Sequence, residues 1–122
     1  MRRGERGSRE GSKTVNGLDF DTIIRCQQAL QEKYRDKWGG LTEKSGRNQL
    51  LWMMVEVGEV ADIMKKKGDE RILHDEEVRR HFVEEMCDVL MYFGDIMLCY
   101  GITPKELGTA FAQKYETNMK RW

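Results

Sequence analysis

Two stretches of this chain are apolar almost all the way round a helix and are interrupted only by acids. Between Leu50 and Met64 the charged residues are Glu56, Glu59 and Asp62; between Phe82 and Tyr100 they are Glu84, Glu85, Asp88 and Asp95. A helix on the surface of a small monomer keeps one face polar, so this pattern predicts burial on more than one side. A single chain of 122 residues can hardly supply that cover. The expectation is a homo-oligomer, dimer or tetramer, joined through these two helices.

Helix punctuation is clear around both stretches. Asp19 is an N-cap, with Leu18 and Ile23 at hydrophobic-staple spacing, for a first helix that carries Phe20, Ile23, Ile24, Leu30 and Tyr34 toward Trp38 and stops at Gly39-Gly40. A second helix is predicted over Arg47 to Lys67, closed by Gly68, with Lys65, Lys66 and Lys67 complementing its carboxyl end. After a polar turn, a third begins near Asp75 and runs to about Tyr100, with Gly101 as its stop. Thr103-Pro104-Lys105-Glu106 then opens a fourth, with proline at the first helical position and glutamate three residues after the cap. Nothing reads as a strand, so the expected architecture is an all-α four-helix bundle.

The length suits one domain. Charge is balanced, with 21 Lys plus Arg against 21 Asp plus Glu, which gives no basic excess for nucleic acid or an anionic membrane. No stretch approaches the roughly 18 to 20 apolar residues of a membrane span, and no apolar signal core opens the chain, so a soluble, cytoplasmic protein is expected. Cys26, Cys87 and Cys99 show no C-x-x-C spacing and read as free, buried thiols. Residues 1–17 are rich in glycine and carry a net +3, leaving −3 on residues 18–122. This segment reads as a disordered tail; its acids argue against a transit peptide. Gly7 to Thr14 is not a P-loop, because Ser12 takes the second glycine position and no strand precedes it.

Glu56 and Glu59 lie within 60° of each other on the second helix, and Glu85 and Asp88 do so on the third, each pair at i, i+3. If these helices are neighbours at about 8–10 Å, four carboxylates converge on one volume. Like charges so close would force protonation unless a cation enters. Oxygen ligands alone select a hard divalent ion, Mg²⁺ or Mn²⁺, over zinc. A di-iron centre is disfavoured, since position 78, three before His81, is valine and no Glu-x-x-His exists; His74 and His81 read as surface residues. Gly58 either admits a close neighbour or is simply tolerated, at about 1 kcal/mol relative to alanine. Asp62 and Asp95 fall farther round their helices, behind the ligands or facing solvent.

On the last helix Lys114, Asn118 and Arg121 recur at i, i+4 and i+7, with Tyr115 alongside. Two cations and an amide on one stripe can bind phosphate oxygens, although taken alone such a helix end is usually a solvated face. Beside a magnesium-type cluster the stripe forms half of a nucleoside-triphosphate site.

Glu56-Val57-Gly58-Glu59, 25 intervening residues, Glu85-Met86-Cys87-Asp88, and Lys114 to Arg121 as K-x-x-x-N-x-x-R together resemble the MazG-like all-α nucleoside triphosphate pyrophosphohydrolases. The resemblance runs from about Phe20 to Trp122. It implies a MazG-like fold completed by oligomerisation and an enzyme that converts a (deoxy)nucleoside triphosphate to the monophosphate and pyrophosphate. It further implies Mg²⁺ held by Glu56, Glu59, Glu85 and Asp88, and phosphates held by Lys114, Asn118 and Arg121. Glu56 is chosen as the proton acceptor for the attacking water. Many relatives carry two adjacent glutamates where this chain has Val55-Glu56, which leaves the metal count open.

Arg47-Asn48 also looks like the segment that leads into the metal helix in relatives acting on deoxycytidine triphosphate, while Asn48 reads equally well as helix-start chemistry. For the base, Trp38 and Asn48 at the mouth of the second helix are the candidates, and Trp52 and Tyr92 are core by default. The alternatives are cleavage of phosphoribosyl-ATP on the same scaffold, or a non-catalytic helical oligomer that binds nucleotide or protein.

Overall fold

The computed structural model describes residues 17–122, so the expected basic tail lies outside the described residues except for Gly17. These residues form an all-α fold with no strand among them. Its helices are α1 (Phe20–Lys33), α2 (Arg35–Trp38), α3 (Gly46–Lys67), α4 (Asp69–His74), α5 (Glu76–Tyr100) and α6 (Pro104–Arg121). Six helices replace the four expected. The first breaks at Tyr34, whose φ of −108° and ψ of 24° leave the helical region, so Trp38 sits on a separate four-residue turn. A capped 3₁₀ turn, Glu43–Ser45, leads into α3. The turn expected after Gly68 is the short helix α4, too brief to show a period of its own.

The caps act locally as their residue types require. Asp19 accepts from the Thr22 amide at 2.9 Å, Asp75 from Glu77 and Val78, and Thr103 from Glu106 at 3.1 Å. Gly101 ends α5 in the left-handed region, φ 65°, and the following Ile102 amide returns to the Met97 carbonyl at 2.9 Å.

α3 and α5 form the long antiparallel pair at the centre, with the start of α3 against Tyr100 and its carboxyl end near Val78. α1 crosses α5 at Gly94, where an added Cβ would meet Ile23 Cγ2 at 2.9 Å, and Phe20 packs against Phe93 with centroids 5.8 Å apart. The buried apolar core is small: Ile23, Ile24, Ile63, Val78, Met97 and Cys99. Cys26 and Cys87 are exposed rather than buried, because each faces away from the α1–α5 and α3–α5 seams. α6 turns 110° from α5 and, among the described helices, packs only against α1. Much of the apolar surface of α3, α5 and α6 therefore remains uncovered, including Leu51, Met54, Val83, Met86 and Phe111. No single described helix is long and apolar enough to cross a membrane.

Candidate functional site

The α3–α5 seam brings three acids together at its middle. Glu56 of α3 and Glu85 and Asp88 of α5 each offer an oxygen, and these atoms lie within 4.8 Å of one another in a half-buried position. Glu85 and Asp88 are one turn apart and so share the face that α5 presents to α3. Burial, followed by the charges of Asp88 and Glu85, pushes the Glu56 carboxyl above its ordinary pKa. Three carboxylates with no lysine or arginine paired to them among the described residues are a donor set for a hard divalent cation. Glu59 is exposed and stands outside this triad. His81 is exposed, yet its Nε2 lies 3.2 Å from Glu85 Oε2, one turn away along α5. Asp62 faces solvent and pairs with Lys66 at 3.1 Å.

A cleft of about 510 Å³ opens beside Asp88. Its wall includes Trp38, Asn48, Trp52, Tyr92 and Asp95. Trp38 reaches it from α2, where its ring lies 4.7 Å from that of Tyr34. Trp52 and Tyr92, read from sequence as core, line the cleft, and Trp52 is 55% exposed. Burial, then the charges of Glu56, Asp95 and Asp88, raise the Tyr92 phenol, so it stays protonated and can donate a hydrogen bond.

Asp95 is neither solvent-facing nor among the acids of the triad. It is 5% exposed, and accepts from Gln27 Nε2 at 3.0 Å and from Gln31 Nε2 at 3.5 Å. Burial raises its carboxyl despite the lowering effect of those two bonds. Gln27, Gln31 and Gln49 all line the cleft and were not anticipated. The available signal was Gln27 and Gln31 at i, i+4 on the same α1 stripe as Ile23, Ile24 and Leu30, an apolar face where glutamine needs a polar partner.

Lys114, Tyr115, Asn118 and Arg121 are all exposed on α6, and the structure does not bring them to the triad within one chain. Arg121 instead lies over the Trp122 ring, 5.1 Å from its centroid. Comparison of the chain with protein-family models, curated proteins and solved structures finds no match.

Proposed function

We propose that this protein is a Mg²⁺-dependent nucleotide pyrophosphohydrolase that cleaves a (deoxy)nucleoside triphosphate to the monophosphate and pyrophosphate. The observation that carries this reading is the adjacency of the Glu56, Glu85 and Asp88 triad to an aromatic-lined cleft containing Trp38 and Asn48. Glu56, Glu85 and Asp88 would hold the ion, with Mn²⁺ as an alternative. Glu59, one turn along α3, is assigned as a fourth carboxylate reached by rotation of its exposed side chain. A divalent cation bound there offsets the negative charge of both carboxylates and polyphosphate.

The chain's own residues then have distinct tasks. Trp38 stacks on the base and Asn48 hydrogen-bonds to it at the mouth of the cleft. Tyr92 donates toward the sugar or the α-phosphate. Attack by water on the α-phosphorus breaks its bond to the bridging oxygen, so pyrophosphate leaves, and Glu56 accepts the proton of the water. Lys114, Asn118 and Arg121, with Tyr115 beside them, are assigned to the phosphates. Since among the described helices α6 packs only on α1, we assign that contribution to the α6 of a second copy, in a homodimer or homotetramer whose interface covers the exposed apolar residues of α3, α5 and α6.

The test is a panel of canonical and modified triphosphates incubated with the full chain and Mg²⁺. Release of pyrophosphate from at least one is expected. Metal binding with no pyrophosphate from any of them would overturn the enzymatic reading.

A further inference from the structure

Among the described residues, the lining of the cleft offers hydrogen-bond acceptors with no lysine or arginine. Asp95 is 5% exposed, and among the described residues only the amides of Gln27 and Gln31 donate to it, one to each oxygen. A carboxylate has about four lone-pair sites, so roughly half of its accepting capacity is unused. Gln49, on the same cleft, buries its Oε1 with no hydrogen-bond partner. A buried acceptor in this state is unfavourable until a donor reaches it. Gln49 Oε1 therefore lacks a donor, the Asp95 carboxylate can accept more than the two it has, and the same kind of ligand edge serves both.

Position selects which part of a ligand that edge belongs to. Asp95 follows Asp88 by seven residues on α5, about 10 Å along the axis. Both line the cleft. That spacing matches the reach of a nucleoside from its 5′-phosphate to the edge of its base, and Trp38 and Trp52 supply flat apolar surfaces between.

We infer that Asp95, supported by Gln49, reads the exocyclic amine of a 4-aminopyrimidine or 6-aminopurine base, cytosine or adenine, and so sets the substrate preference of the cleft. This rests on the nucleotide reading above. An amine at that position donates to the carboxylate. Uracil and hypoxanthine present a carbonyl there, which sets lone pairs against the Asp95 oxygens and leaves the acceptors unpaired. Sites built around a buried hydrogen bond reject the analogue that lacks it far more strongly than apolar pockets reject a missing methylene. Asp95 acts on binding of the base and takes no part in bond breaking.

The experiment compares matched pairs on the full chain: dCMP with dUMP, and AMP with IMP, by quenching of intrinsic tryptophan emission, then dCTP with dUTP and ATP with ITP as substrates. The amino member of at least one pair is expected to bind about tenfold or more tightly, and the pair showing it separates cytosine from adenine. Asp95→Asn, whose amide can donate to a carbonyl, is expected to bring that ratio to about threefold or less, with the change in KM and not in kcat. Gln49→Leu, which leaves the Gln27 and Gln31 bonds in place, is expected to lower the ratio in the same direction and serves if the first variant does not fold. Equal binding of both members of each pair, or a ratio unchanged by a folded Asp95→Asn variant, overturns the inference. An amine preference in monophosphate binding without pyrophosphate release upholds it while overturning catalysis. Pyrophosphate release without an amine preference does the reverse.

Discussion

Asp88 and Asp95 stand seven residues apart on α5 and line the same cleft, yet they occupy opposite chemical situations. Asp88 faces Glu56 and Glu85 within 4.8 Å, a like-charge cluster suited to a cation. Asp95 is held by two glutamine amides from α1. One α5 face therefore carries a charge-seeking group and a donor-seeking group two turns apart.

The triad should make stability depend on divalent metal. Mg²⁺ or Mn²⁺ is expected to raise the melting temperature of the wild type, since a ligand bound only by the folded state stabilises it. Asp88→Asn should weaken metal affinity on the order of tenfold or more. Glu59→Gln should weaken it less, because that side chain is exposed and outside the triad. Titration calorimetry reads both, and equal affinity in wild type and Asp88→Asn would remove Asp88 from the site.

The buried carboxyl of Asp95 should leave a signature in the pH dependence of unfolding. Burial raises it above the ordinary 3.8. A group with a raised folded-state pKa binds more protons when folded, so its stabilising contribution is full at acid pH and is lost as pH rises through the folded value. Relative to Asp95→Asn, the wild type should therefore lose ground as pH rises above the ordinary carboxyl value and through the raised folded one. Urea midpoints of the two chains should diverge in that direction, and a constant difference would show an unperturbed carboxyl.

Two glycines in long helices should respond in opposite ways. At Gly94 an added Cβ meets Ile23 Cγ2 at 2.9 Å and Gln27 Cγ at 3.2 Å. Ile23 is branched at Cβ and cannot swing aside, so Gly94→Ala should cost about 1–3 kcal/mol. At Gly58 an added Cβ meets nothing within 4 Å, and Gly58→Ala should add about 1 kcal/mol from helix propensity. Thermal melts of both variants check this, and destabilisation by Gly58→Ala would place a second copy against that position.

Association should depend on the uncovered apolar faces. Phe111 is 72% exposed and Leu51 63% exposed in the single chain. The wild type is expected to sediment as a dimer or tetramer, and Leu51→Glu or Phe111→Glu should shift it to a smaller species at the same concentration. A monomeric wild type would contradict the assembly.

Local features were legible because their causes lie within a few residues. The caps at Asp19, Asp75 and Thr103, the stop at Gly101 and the proline opening α6 all follow from backbone hydrogen bonding near a helix end. The break at Tyr34 and the helix α4 were not legible, since four- and six-residue helices show too little of a 3.6-residue period. Trp52 reads as core from its apolar neighbours, but its exposure depends on what the tertiary fold leaves beside it, here a cleft shared with Trp38 and Ser45.

By itself the sequence determined that Glu85 and Asp88 share a helix face, because the rise and turn of an α-helix set that relation wherever the helix lies. It also determined that apolar surface on the long helices would exceed what one chain covers. Only the tertiary structure decided that Glu56 meets Glu85 and Asp88 while Glu59 remains exposed, and that Asp95 is shielded by Gln27 across 68 residues of chain. A carboxylate's surroundings are set by what packs against it, and for Asp95 those groups come from α1, which its own helix does not specify.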